Sequence, residues 1–136
     1  MPELQSECED LWVKLDLVGN KSLVIGAYYK PHELDTDSFT EFSKSLEKVN
    51  KKFSNIWVGG DLNLPKMDWN TTSPSPECKH QAFYHQVIDT LNNSNLTQMV
   101  NLPTRESNIL DLFLTTNPTL VNQVNILPGI SDHNIV

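Results

Sequence analysis

The stretch Asn55-Ile56-Trp57-Val58-Gly59-Gly60-Asp61-Leu62-Asn63-Leu64-Pro65 constrains this chain more than any other. Ile56, Trp57 and Val58 are the β-branched and aromatic types that suit a buried strand. Gly59 and Gly60 end the run where a backbone or a ligand can approach closely. Asp61 and Asn63 follow at a spacing of two, which in extended chain places a carboxylate and an amide on one face of a strand end. Such a pair can hold a metal or a phosphate. The same residues also fit a plain Asx turn, in which Asp61 and Asn63 bond their own backbone. Taken alone, the stretch leaves both readings open.

The flanking sequence predicts what surrounds this strand. Leu11 to Val18 and Leu23 to Tyr29 read as two strands joined by a Gly19-Asn20 turn, with Pro31 closing the second because proline cannot donate to a ladder. From Asp35 to Phe53 the period changes. Phe39, Phe42, Leu46, Val49 and Phe53 recur every three or four residues, which predicts an amphipathic helix capped by Asp35, Thr36 or Asp37, with Ser38 and Glu41 at capping-box spacing. Residues 64–77, with three prolines, predict a long surface loop. Phe83, Tyr84, Val87, Ile88 and Leu91 predict a second helix from about Glu77 to Asn92. Short strands are expected near Leu96–Val100, Ile109–Thr115 and Val121–Leu127. Alternating strands and helices imply one α/β layered domain over 1–136.

A chain of 136 residues can bury a real core. Its acidic first residues and short apolar runs predict an intracellular protein with no signal peptide and no membrane span. Cys8 and Cys78 have no metal-ligand spacing and are expected as free thiols. The formal net charge of −7 excludes a strongly basic nucleic-acid surface. Lys44, Lys48, Lys51 and Lys52 fall at helical spacing and read as a solvated helix face. Any nucleic-acid chemistry must therefore come from a site, not from a basic patch.

Two further groups bear on chemistry. In Asn108-Ile109-Leu110-Asp111-Leu112-Phe113-Leu114 a strand would flank Asp111 with apolar side chains, and a carboxylate there needs a partner or solvent at an edge. Ser131-Asp132-His133, after the turn Pro128-Gly129, sets a carboxylate beside an imidazole; a turn or capping role fits these residues as well. Tyr29, Asp61, Asn63, Asp111, Asp132 and His133 thus all fall at predicted strand ends or neighbouring loops. Phosphodiester cleavage needs such a set: a carboxylate for a divalent metal, an acceptor that orients water, and donors for charge on phosphate oxygens. No P-loop, dinucleotide fingerprint or serine or cysteine nucleophile motif competes.

In their order and spacing, Tyr29-Lys30-Pro31, Gly60-Asp61-Leu62-Asn63, Leu110-Asp111-Leu112 and Ser131-Asp132-His133 resemble the endonuclease/exonuclease/phosphatase superfamily with the DNase I-like fold. Asp68-Trp69, Pro103-Thr104-Arg105 and Leu114-Thr115-Thr116-Asn117-Pro118 narrow the resemblance to endonuclease domains of LINE-type, non-LTR retrotransposons. The resemblance implies a partial DNase I-like β-sandwich with flanking helices. It also implies hydrolysis of a DNA phosphodiester with Mg2+ or Mn2+, and a downstream reverse transcriptase in the parent protein. Asp61 would activate or orient the attacking water, Asn63 would hold that water or a phosphate oxygen, and Tyr29 would contact the phosphate. Asp132 would join Asp61 in the metal and water network, while His133 would donate to the scissile phosphate with Asp111 orienting its ring.

Leu62 stands where the family usually has Phe. The family also takes an Asn and a metal-binding Glu from an N-terminal portion that this chain is expected to lack, since Glu3, Glu7 and Glu9 do not match that Glu in context or position. The chain is expected to be truncated at both ends and weak or inactive alone, with open edges and exposed apolar faces. The alternatives are a phosphatase of the same superfamily and a non-catalytic remnant or binding module.

Overall fold

A computed structural model describes residues 8–129 and 132–136. Strands β1 (Glu9–Leu17) and β2 (Lys21–Tyr29) form the expected antiparallel hairpin, and Asn20 takes the left-handed conformation its turn requires. Helix α1 (Thr36–Lys52) then returns the chain to β3 (Ile56–Asp61), which lies parallel to β2. A small hairpin, β4 (Met67–Asp68) and β5 (Ser73–Pro74), precedes α2 (Gln81–Asn93), β6 (Thr97–Gln98) and β7 (Asp111–Thr115). The main sheet runs β1-β2-β3-β7-β6 and is antiparallel except between β2 and β3. The chain is therefore α/β, as expected, with a mixed sheet and two helices.

One face of the sheet carries the core. Trp12, Val24, Tyr28, Ile56, Val58, Leu112 and Leu114 join Phe39, Phe42, Leu46 and Val49 of α1 and Phe83, Tyr84, Val87 and Leu91 of α2 in one buried cluster. Phe42 stacks on Tyr28 at 4.1 Å between centroids, and Phe39 meets Phe83 edge-on at 5.9 Å, so aromatic contacts bind α1 to both sheet and α2. The opposite face is barely covered along β1, where Leu11 is 67% exposed and Val13, Leu15 and Leu17 are more than 40% exposed.

Several boundaries differ from the sequence expectation for local reasons. Asp35 is the α1 cap, accepting from the Ser38 backbone N–H at 3.1 Å, whereas Glu41 pairs with Lys44 along the helix. Helix α2 starts at Gln81 because Gln81 spends its amide on the Ser75 and Cys78 carbonyls of the preceding turn. The stretch 64–77 is only partly a surface loop: Leu64 is buried, and Met67 and Trp69 pack on the core. Strand β6 covers two residues, since Leu96 bonds back to Leu91 and the Gln98 side chain bonds the Val100 backbone. Residues 121–127 form no strand. Adjacent Asn122 and Gln123 break the alternation, Gln123 bonds Asn125 locally, and a single bridge joins Leu127 to Ile135. Ser131 and the acidic stretch 1–7 lie outside the described residues.

Candidate active site

The sheet register builds the site. Tyr29 stands opposite Asp61 across β2 and β3, and Asp61 opposite Asp111 across β3 and β7, so three sequence-selected residues form one row at one end of the sheet. Directly paired residues share a face. That face is the one away from the helices, because Val24, Tyr28, Ile56, Val58, Leu112 and Leu114 use the other. Gly59 leaves the floor beside the row without a side chain. Two shallow hollows flank it, of about 370 Å³ by Tyr29 and Asp61 and about 280 Å³ by Asp111 and Asn134. Gly60 has φ +150°, and a Cβ there would lie 1.8 Å from the Tyr28 carbonyl oxygen, so only glycine fits this strand end.

His133 completes the group. Its Nδ1 donates to Asp111 Oδ2 at 2.6 Å, and its Nε2 lies 3.8 Å from Asp61 Oδ2. This supplies the partner that a carboxylate between apolar neighbours requires. The imidazole arrives on residues 132–136, anchored by three backbone bonds: Asn134 N–H donates to the Thr104 carbonyl at 2.6 Å, and Leu127 and Ile135 exchange a pair. Thr104 is buried, and its Oγ1 accepts from the Leu110 and Asp111 N–H groups. One threonine therefore positions both halves of the Asp111–His133 pair. Sequence reading met Thr104 only inside Pro103-Thr104-Arg105 and assigned it no place in the site.

Asn63 and Asp132 sit differently from the other four. Asp61 Oδ1 accepts from the Asn63 N–H at 2.8 Å, so an Asx turn does form there, yet it occupies only one carboxylate oxygen. Turn and site are compatible. Asn63 leaves the strand with φ +49°, and its side chain donates to the Pro31 carbonyl at 3.0 Å. Its side chain thus ties the β3 end to the loop after β2. Asp132 does not enter the group: its exposed carboxylate pairs with Arg105 at 3.0 Å. Tyr29 is 45% exposed beside the row.

The local electrostatics follow from burial and charge. Burial raises the Asp61 carboxyl, as does Asp111, while the Asn63 N–H, His133 and Lys30 oppose the shift. The hydrogen bond that His133 donates to Asp111 raises the imidazole, which favours the imidazolium; partial burial opposes it, and the charges of Asp111, Asp61 and Asp132 add to the rise. Lys30 is fully buried, and burial lowers its ammonium to about 8 against the pull of Glu33, Asp35 and Asp61.

A family model described as endonuclease-reverse transcriptase matches residues 22–136. The chain belongs to that family. It is thereby a domain of the endonuclease/exonuclease/phosphatase superfamily from a retrotransposon-type protein, and its mixed sheet with two helices agrees with a partial DNase I-like fold. No significant match to a curated protein or to a solved structure was found. The family's endonuclease character points to a nucleic-acid substrate, and among the described residues no helix is long and apolar enough to cross a membrane.

The superfamily is generally dependent on a divalent metal, and the donor set in this chain can be tested against one. Asp61, Asp111 and His133 offer ligand atoms within 4.8 Å of one another. Hard cations such as Mg2+ take oxygen ligands and commonly use one or two carboxylates completed by water and substrate phosphate. The Asp61 and Asp111 oxygens not bonded to Asn63 or His133 fit that pattern. The imidazole, bonded at Nδ1 to Asp111, suits a proton donor better than a ligand to a hard ion.

Proposed function

We propose that this domain hydrolyses DNA phosphodiester bonds with a divalent cation, Mg2+ or Mn2+, held by the Asp61 and Asp111 carboxylates. One observation carries the reading: in a single row at the sheet end, Asp61 faces an imidazole whose far nitrogen is bonded to Asp111. When bound, the cation supplies positive charge to phosphate oxygens and lowers the pKa of a coordinated water. The remaining roles belong to the chain. Asp61 Oδ2 accepts from and orients the attacking water, while Asn63 fixes Oδ1 and so sets the plane of the carboxylate.

His133, kept protonated by Asp111, donates from Nε2 to a phosphate oxygen as negative charge builds there. Tyr29 stands beside this row to contact the same phosphate. Asp132, turned to Arg105, has no contact with the reacting atoms in this reading.

Plasmid nicking tests it. The expected result is slow nicking that requires millimolar Mg2+ or Mn2+, because two carboxylates hold such an ion weakly. EDTA and Asp61→Ala should each abolish it, and His133→Ala should slow it by roughly 10²–10⁴-fold. Nicking that persists unchanged in Asp61→Ala, or none with either metal, would overturn the proposal. Release of phosphate from a soluble phosphomonoester with DNA left intact would reassign the substrate.

A further inference from the structure

We propose that Lys30 is a positioning residue, a buried ammonium that holds the Asp61–Asn63 turn in its working shape. Its effect on rate rests on the hydrolytic reading above; its effect on shape rests on geometry alone. The strand alternation that sends Tyr29 outward to the row sends Lys30 inward, following Val24, Gly26 and Tyr28, and it is 0% exposed. There its Nζ donates to the carbonyls of His32 and Glu33 at 2.6 Å each and reaches that of Asn63 at 3.5 Å, above the Phe83 ring.

Burying an ammonium is expensive, and an unbranched apolar side chain would fill the same space without that cost. What the charge does is gather carbonyls. Those carbonyls belong to two loops, residues 31–33 after β2 and Asn63 after β3, and no apolar side chain can join them. Two more bonds run between the same loops: Lys30 N–H to the Asp61 carbonyl at 2.9 Å and Asn63 Nδ2 to the Pro31 carbonyl at 3.0 Å.

Asn63 is thereby fixed at three groups. Its N–H is on Asp61 Oδ1, its side chain on Pro31, and its carbonyl faces Lys30. It sits at φ +49°, a left-handed conformation that asparagine tolerates, and these three groups select it. Without the ammonium, the peptide after Asn63 can turn, the N–H leaves Asp61, and the carboxylate plane is released. The Tyr29 strand end loosens with it, since both loops share the same tie.

The test uses the whole 136-residue chain and two readouts. In metal-free, ¹⁵N-labelled protein, Lys30→Met should move the backbone and side-chain N–H resonances of Asn63. In plasmid nicking it should lower kcat by about 10²-fold, the scale of a misplacement near 1 Å, with KM changed by less than about twofold. Val87→Ala, on the buried face of α2, serves as a variant of lowered melting temperature that leaves the site intact. At a temperature where both are folded, it should keep the parental kcat.

Asn63 resonances unmoved in Lys30→Met, or a kcat equal to that of Val87→Ala, would overturn the proposal. If the parent chain does not nick at all, the hydrolytic reading fails, and the Asn63 resonances decide the role of Lys30 by themselves. Should Lys30→Met not fold, Lys30→Gln takes its place: its amide is uncharged, has two N–H donors for three carbonyls and ends one bond short of Nζ, so it too should release Asn63, and the same outcomes decide.

Discussion

The Asp111–His133 hydrogen bond, at 2.6 Å, makes the imidazole the most pH-responsive group in the site. Its folded pKa is raised, so the folded protein holds the proton at pH values where the unfolded chain has released it. The stability contributed by the pair is complete below the ordinary histidine value of about 6.5 and is lost as pH rises through the higher folded value. Asp61 is also raised, chiefly by burial, so its contribution likewise falls with rising pH, in the window above the ordinary carboxylate range. In metal-free protein the melting temperature should therefore decline as pH rises from about 6.5 toward 8, above which the lowered Lys30 acts with the opposite sign, and Asp111→Asn should remove most of that decline. A pH titration of the His133 ring by NMR checks it directly. A parental His133 that titrates at or below the ordinary value would sink the explanation.

At the scale of elements, strand ends decide the site. Gly60→Ala should cost at least about 2 kcal/mol, because the new Cβ would meet the Tyr28 carbonyl at 1.8 Å in a backbone conformation closed to alanine. Urea denaturation measures this, and a loss below about 0.5 kcal/mol would show that β3 can end another way. The elements with strong periodicity were legible in the sequence: the hairpin, both helices and β3 lie where alternation and three-to-four spacing put them.

Residues 121–127 form no strand although their apolar residues suggest one, because the alternation breaks at Asn122-Gln123. The Asp111–His133 contact was foreseeable, since a carboxylate between apolar neighbours must find a partner. The place of Lys30 was not, because lysine is ordinarily exposed and its partners here are backbone carbonyls, which no side-chain pattern reveals. Thr104 escaped for the same reason, as its hydroxyl and carbonyl serve only backbone N–H groups.

For the molecule as a whole, charge limits how nucleic acid can be held. The chain carries a net −7, Lys30 is buried, and Arg105 is already paired with Asp132. Grip on phosphate must come from one or two groups at the row. The logarithm of DNA affinity should then fall with the logarithm of salt concentration at a slope of about −1 to −2. Fluorescence anisotropy over a salt series measures it. A slope of about −6 or steeper would show that lysines away from the row, such as those of α1, also contact DNA phosphates.

The way His133 is mounted carries one more consequence. The side chains of residues 132–136 are half-buried or exposed, and the ties of this segment include Thr104, Arg105, Asp111, Asp61 and Leu127. Ties this exposed open at a lower free-energy cost than the core of a sheet does. On the proposed mechanism the protein would have a duty cycle: turnover would scale with the fraction of time the imidazole is docked, and a weak segment would lower the apparent rate without altering the chemistry of any single event.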